Sequence, residues 1–214
     1  LLIADPQNDG QGYLNYSIYF DSPQFTFYNE QKRGLTTRSK PRLRTYRANF
    51  NAPPLAIFLE FKYREQNLVA KERTALNSAQ AYCILNGDKV EGLNYNTGDS
   101  VIEKFAALAE RIELRTSVGV IYHRMAFSCS IQNDLRITLD TQIQFTNRRE
   151  LTPSENAFRS SEPLNRAIIE LKYLSKVPKQ IEKAAEFMEF QKASYSKYTN
   201  AIEQIFGTPR PPMP

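Results

Sequence analysis

Long charged side chains recur at every second position in several short segments that have the composition of β-strands. Lys40, Arg42 and Arg44 alternate with uncharged residues, and Glu60 and Lys62 do the same in a later segment. Successive side chains of a strand point to opposite faces of its sheet, so each set shares one face. The alternation therefore predicts a sheet with one charged face and one face that packs against a core.

The order of strand-like and helix-like segments predicts an α+β protein with an antiparallel sheet at its centre. Strand composition and alternation mark six segments: 16–20, 42–46, 57–63, 118–130, 135–141 and 167–171. Helical spacing follows Ser100, follows Pro178 and extends from Ser196 to Phe206, where Gly207 ends it. A turn is expected at 132–134, Lys71 lies outside the six strand segments, and 208–214 is a proline-rich tail.

Composition excludes several classes of site. His123 is the single histidine, and the two cysteines, Cys83 and Cys129, lack zinc-ligand spacing, which argues against zinc sites and histidine-dependent nucleophiles. The formal net charge of +5 indicates an anionic partner. Nucleic acid is not expected, because no stacking-aromatic motif accompanies the basic residues. The chain has no apolar run long enough to span a membrane as a helix, and a cytoplasmic location is expected.

The charged face admits two interpretations. It is either the solvated outside of an ordinary sheet, or the inside of a barrel that encloses an aqueous cavity. Arginine stands at several positions where lysine would serve solubility equally well, as at Arg42, Arg44 and Arg136. A planar guanidinium group binds phosphate oxygens in a forked geometry that an ammonium group cannot reproduce. This preference favours the cavity and a phosphate ligand.

Seven segments, in order, resemble the catalytic domain of the vacuolar transporter chaperone (VTC) polyphosphate polymerases, which are triphosphate tunnel metalloenzymes of the CYTH-like superfamily. They lie at 17–21, 40–46, 59–62 with 71–73, 122–124, 136–140, 169–172 and 196–198. The resemblance implies an antiparallel β-barrel with flanking helices, a triphosphate tunnel, over residues 1–207. The family's first strand, which carries a tunnel lysine, has no counterpart here, so the resemblance implies a domain that lacks it. Some members also carry a lysine where this chain has Ser194.

The resemblance assigns roles to eleven residues. Those implied in catalysis are Arg42, Arg44, Lys62, Arg124 and Arg136. Those implied in substrate binding are Lys40, Lys71, Lys172 and Lys197. Glu170 is the implied ligand of Mn²⁺ or Mg²⁺, and Glu60 is the next candidate.

The implied activity is transfer of the terminal phosphoryl group of ATP to a polyphosphate chain. Two alternatives stay open: a triphosphatase in the same tunnel, with water as the acceptor, and a non-catalytic module that binds polyphosphate or tripolyphosphate. Any association with a membrane would require a partner protein or another domain.

Overall fold

The computed structural model describes residues 2–5, 10–66, 68–87, 100–130, 134–160, 167–174, 176–190 and 194–209. Within these residues the strands are β1 (Leu2–Ala4), β2 (Tyr13–Asp21), β3 (Arg38–Arg47), β4 (Ala56–Glu65), β5 (Leu68–Leu76), β6 (Arg115–Cys129), β7 (Arg136–Thr146), β8 (Arg159–Ser160) and β9 (Ile168–Lys172). The helices are α1 (Thr26–Lys32), α2 (Ser78–Asn86), α3 (Ser100–Ile112), α4 (Lys179–Phe187) and α5 (Lys197–Phe206).

The strands form one curled antiparallel sheet. Its order is β5-β4-β3-β2-β6-β7-β8, with β1 paired to β6 and β9 paired to β7. The predicted α+β class and antiparallel sheet are thus confirmed. The curled sheet is a half-barrel around a groove. It is open, because in the described part of the chain no ladder joins β5 to β8 or β9.

The convex side of the sheet holds the larger core. Ile18 of β2, Leu43 of β3 and Leu59 of β4 are fully buried there beneath α2 and α3. Burying each such side chain contributes about 1.5–3 kcal/mol. Because these residues alternate with the charged ones, packing them outward turns the charged positions of β3 and β4 into the groove.

Helix α5 fills part of the concave side. Tyr198 and Ile202 pack with Val118, Val120 and Phe145 in a second apolar cluster. Both termini of α5 agree with the sequence prediction. At its start the Ser196 hydroxyl accepts a hydrogen bond from the Thr199 backbone N–H, and at its end Gly207 is the cap and has a positive φ.

A buried carboxylate fixes α5 to the end of β2. Asp21 accepts hydrogen bonds from the backbone N–H groups of Ser22, Phe27 and Tyr28 and from the hydroxyl of Tyr198. Desolvation raises the pKa of Asp21, and these hydrogen bonds oppose the rise. One side chain thereby joins β2, α1 and α5, which sets where the start of α5 enters the groove.

The structure corrects several predicted boundaries. Lys71 lies within strand β5, which was not predicted, and helices α1 and α2 were also missed. Ser100, which was expected to precede a helix, lies in the first turn of α3. Pro178 does precede α4, as the residue that caps it. Strands β6, β7 and β9 differ by one to five residues from the predicted ends, and the largest difference is at the end of β7, which extends to Thr146. Residues 132 and 133 of the predicted turn and residues 210–214 of the tail lie outside the described residues.

Candidate functional site

Lysines from three adjacent strands stand opposite one another in the groove. Lys40 of β3 pairs in register with Lys62 of β4, and Lys62 pairs with Lys71 of β5. Like charges directly opposite each other on a sheet are destabilising. Such a row is therefore costly unless an anion binds to it.

The next row contains a buried carboxylate among cations. Glu60 is fully buried, and its Oε2 accepts bonds from Nε (2.9 Å) and Nη2 (2.7 Å) of Arg42. Arg44 Nε lies 3.6 Å from the same oxygen, and Lys71 Nζ lies 2.7 Å from Oε1. Desolvation opposes ionisation of Glu60, but the charges of Arg42 and Arg44 and hydrogen bonds from Lys71 and Arg42 lower its pKa to about 2. Glu60 therefore remains ionised, and each of its two carboxylate oxygens has a cationic nitrogen at 2.7 Å.

A second buried carboxylate, Asp140 of β7, holds two cations at the other side of the groove. Its oxygens accept bonds from Nε (2.6 Å) and Nη2 (2.7 Å) of Arg124, and Lys197 Nζ of α5 lies 2.6 Å from Oδ2. Desolvation raises the pKa of Asp140, whereas Arg124 and Lys197 lower it. The effect of the two cations is the larger, so the pKa of Asp140 is lowered overall. Both cations also stand over the ring of Tyr122, at 5.2 Å for Arg124 and 4.7 Å for Lys197.

Two lysines keep their charge available for a ligand. Within the described part of the chain, no carboxylate lies within ion-pair distance of Lys40 or Lys62. Lys40 Nζ donates to the hydroxyl of Ser196, the cap of α5, across the groove. Desolvation lowers the pKa of Lys40 to about 8, with repulsion from Lys62, Arg38 and Arg42 adding to the fall.

The remaining predicted residues lie at the rim. Arg136 is half exposed and pairs with Asp5 at 2.8 Å, while Lys172 lies 3.5 Å from Glu170. Glu170 is 43% exposed, and its Oε2 is 3.9 Å from Nη2 of Arg124. The nine predicted cations thus fall into a groove set and a rim pair, Arg136 and Lys172, of which Lys172 stands beside Glu170.

The two predicted metal ligands differ in what they can still bind. The cations already occupy both oxygens of Glu60, whereas Glu170 has only long contacts and faces solvent. No group of three or more metal-ligating side chains occurs among the residues that the structure describes. Mg²⁺ typically binds one or two carboxylates together with substrate phosphates and water. Glu170 fits this mode, and Glu60 does not.

Three contributing residues were not predicted as part of the site. Asp140 organises Arg124 and Lys197, and Ser196 binds Lys40. The Tyr19 hydroxyl accepts a bond of 3.1 Å from Nη1 of Arg42. The alternation places Asp140 on the charged face together with Arg136, so its position was available from the sequence. Its pairing with Lys197 of α5 was not.

A search against protein-family models matches the VTC domain over residues 2–206. The chain belongs to the VTC domain family. The match covers nearly the whole chain, which confirms the resemblance seen in the seven segments. Among curated proteins, none matches the sequence.

Solved structures similar to this VTC domain include two from prokaryotes. A protein from Bacillus halodurans, described as a candidate adenylate cyclase, is 13% identical with a TM-score of 0.52, over 92% of this chain and 84% of its own. PH1819 from Pyrococcus horikoshii OT3 is 16% identical with a TM-score of 0.45, over 90% and 82%. The former likeness shows that the two chains share the fold of a curled antiparallel sheet with flanking helices. No helix in the described ranges is long and apolar enough to cross a membrane.

Proposed function

We propose that this VTC domain binds triphosphates and polyphosphate along its groove and, with Mn²⁺ or Mg²⁺, transfers the terminal phosphoryl group of ATP to a polyphosphate end. One observation carries the proposal. Side chains from five different elements, β3, β4, β5, β6 and α5, converge on one concave surface and are all cationic. They are Lys40, Arg42, Arg44, Lys62, Lys71, Arg124 and Lys197.

The grouping of the cations into two sets suits an extended polyanion better than a single small anion. One set surrounds Glu60, and a second surrounds Asp140. Lys62 and Lys40 add charge between β4 and the start of α5. A chain of phosphates offers oxygen charge at repeated intervals, so it can contact both sets at once.

Phosphoryl transfer asks little covalent chemistry of the protein. It requires in-line positioning of the reacting groups and stabilisation of charge on the phosphate oxygens. Arg42 and Arg124 are held by carboxylates before substrate arrives, so they need little reorganisation. We propose that they orient the transferring phosphate, while Lys40 and Lys62 bind the remainder of the chain.

Glu170 is the proposed metal ligand. It lies at the rim beside Arg124 and is exposed enough to meet a metal ion that also binds phosphate oxygens. A bound Mn²⁺ or Mg²⁺ supplies charge stabilisation to the phosphate oxygens. The role of the protein is to place this carboxylate next to the cations of the groove.

The test is ATP consumption with Mn²⁺, followed by gel separation of long phosphate chains from free phosphate. Long chains that depend on ATP support the polymerase. Free phosphate alone would assign the domain as a triphosphatase, and triphosphate binding with neither product would assign it as a binding module. Glu182→Gln on the exposed surface of α4 is the matched control for loss of a carboxylate.

A further inference from the structure

Asp140 joins two cations that come from different parts of the chain. It pairs in register with Arg124 of the neighbouring strand β6, whereas Lys197 comes from α5. Nη2 of Arg124 and Nζ of Lys197 both contact Oδ2 of Asp140, at 2.7 and 2.6 Å. The carboxylate is fully buried, and Arg124 and Lys197 are 13% and 16% exposed. The three groups therefore form one compact unit.

We propose that Asp140 is a positioning residue that holds Arg124 and Lys197 together as a binding site for one phosphate group, adjacent to Glu170. The proposal rests on the proposed function. Because both cations contact the same carboxylate oxygen, they lie close together, and without Asp140 they would repel each other in a partly desolvated groove. Asp140 removes that repulsion, and both cations retain further N–H donors that can bind a phosphate oxygen.

The surroundings of the pair define where such a phosphate sits. The ring of Tyr122 lies near both cations, at 5.2 Å from Arg124 and 4.7 Å from Lys197, and its attraction limits their movement away from Asp140. Glu170 Oε2 lies 3.9 Å from Nη2 of Arg124. A phosphate on the pair is thus next to the proposed metal ligand, which is the position of a reacting phosphate in metal-assisted transfer.

The first test does not depend on turnover of ATP. A lysine-acylating reagent followed by mass spectrometry measures the reactivity of Lys197 in the wild type, in Asp140→Asn and in Glu203→Gln. Glu203→Gln is the matched control, because it makes the same charge change on α5 while its partners are Lys32 and Tyr28. We expect several-fold faster acylation of Lys197 in Asp140→Asn only, and protection of Lys197 by tripolyphosphate in the wild type. Unchanged acylation of Lys197 in Asp140→Asn overturns the proposal, whether or not the wild type turns over ATP.

The second test separates positioning from a structural role. In Asp140→Asn we expect kcat for ATP to fall about 100-fold, as misplacement of a reacting group by about 1 Å can cause. KM should stay the same or fall, because one negative charge has left the groove. A rise in KM with unchanged kcat contradicts positioning. If the wild type shows no turnover, the proposed function fails while the acylation result still decides the role of Asp140.

Lys197→Met carries the test if Asp140→Asn does not fold. This change removes one cation and leaves Asp140 paired with Arg124. We expect tripolyphosphate affinity to fall about tenfold, equivalent to about 1.4 kcal/mol, with little change in Tm. An unchanged affinity in the folded variant overturns the claim that the two cations form one phosphate site.

Discussion

Lys62 on β4 lies within electrostatic range of Glu170 on β9, although β4 and β9 are not hydrogen-bonded neighbours in the sheet. Desolvation in the groove lowers the pKa of Lys62, and the charge of Glu170 opposes that fall. Curling of the sheet thus brings the proposed metal ligand within electrostatic reach of the lysine row. The metal-binding and phosphate-binding parts of the proposed site belong to one groove.

Glu170→Gln tests the role of that carboxylate. We expect manganese-dependent turnover to be abolished while most of the tripolyphosphate affinity remains, because the groove cations are unchanged. Turnover and binding are measured on the same preparation, with Glu182→Gln as control. Full activity in Glu170→Gln would move the metal to another ligand.

Arg42→Lys and Arg124→Lys test the need for guanidinium geometry. Each arginine binds a buried carboxylate through two nitrogens, and a lysine cannot do this and also reach phosphate. We expect kcat/KM to fall about tenfold or more, with a larger loss in kcat than in ATP affinity. Arg115→Lys, whose residue is exposed and paired with Glu113, is the control. Wild-type kinetics in both groove variants would show that point charges suffice.

Lys40 predicts a pH dependence of binding. Its pKa of about 8 lies below the ordinary value of 10.5, so its charge is lost as pH rises through about 8. The advantage of the wild type over Lys40→Met in tripolyphosphate affinity should therefore shrink between pH 7 and 9. Without ligand, the stability contributed by this group rises from pH 8 toward 10.5, because the unfolded chain binds more protons there. A constant affinity ratio across this range contradicts a role for the Lys40 charge.

Glu60→Gln predicts a loss of stability. Removing the carboxylate leaves Arg42, Arg44 and Lys71 without a buried counter-charge, which typically costs about 3–5 kcal/mol. Since the pKa of Glu60 falls from 4.5 to about 2, its stabilisation is complete above pH 4.5 and is lost as pH falls toward 2. Denaturant unfolding at pH 7 and in acid measures this, with exposed Glu103→Gln as control. Equal stability of Glu60→Gln and wild type at pH 7 would contradict the role assigned to Glu60.

Alternation predicted which charged residues of a strand share a face, because it is a local property, whereas the resemblance supplied Lys71 and Lys197. Lys40, Arg42 and Arg44 share a face in any straight strand, and apolar residues such as Leu43 decide which face is buried. Strand β5 was missed because Lys71, Glu72 and Arg73 are consecutive charges that obscure its alternation. Pairing with β4 in register decides its structure.

Other features depend on contacts distant in sequence. Helix α1 follows Phe25, which lies in a left-handed conformation and offers no side-chain cap. Its first N–H groups bond instead to the side chains of Ser22 and Asp21, which lie outside the usual cap position. Helix α2 did carry a local start signal, since Asn77 and Gln80 form a capping box. The bond from Lys197 to Asp140 requires α5 to dock in the groove, and this docking depends on Asp21 and the apolar cluster around Tyr198. Alternation alone cannot supply that information.

Thermal stabilisation by tripolyphosphate, compared with sulfate at matched ionic strength, tests the central claim most directly. At 100 times its dissociation constant a ligand stabilises a protein by about 2.7 kcal/mol, or roughly 5–10 °C in a domain of this size. We predict a shift of this order for tripolyphosphate, little shift for sulfate, and loss of the difference in Arg42→Ala but not in Arg115→Ala. Equal shifts for the two anions, or an undiminished tripolyphosphate shift in Arg42→Ala, would contradict a phosphate-chain site in the groove.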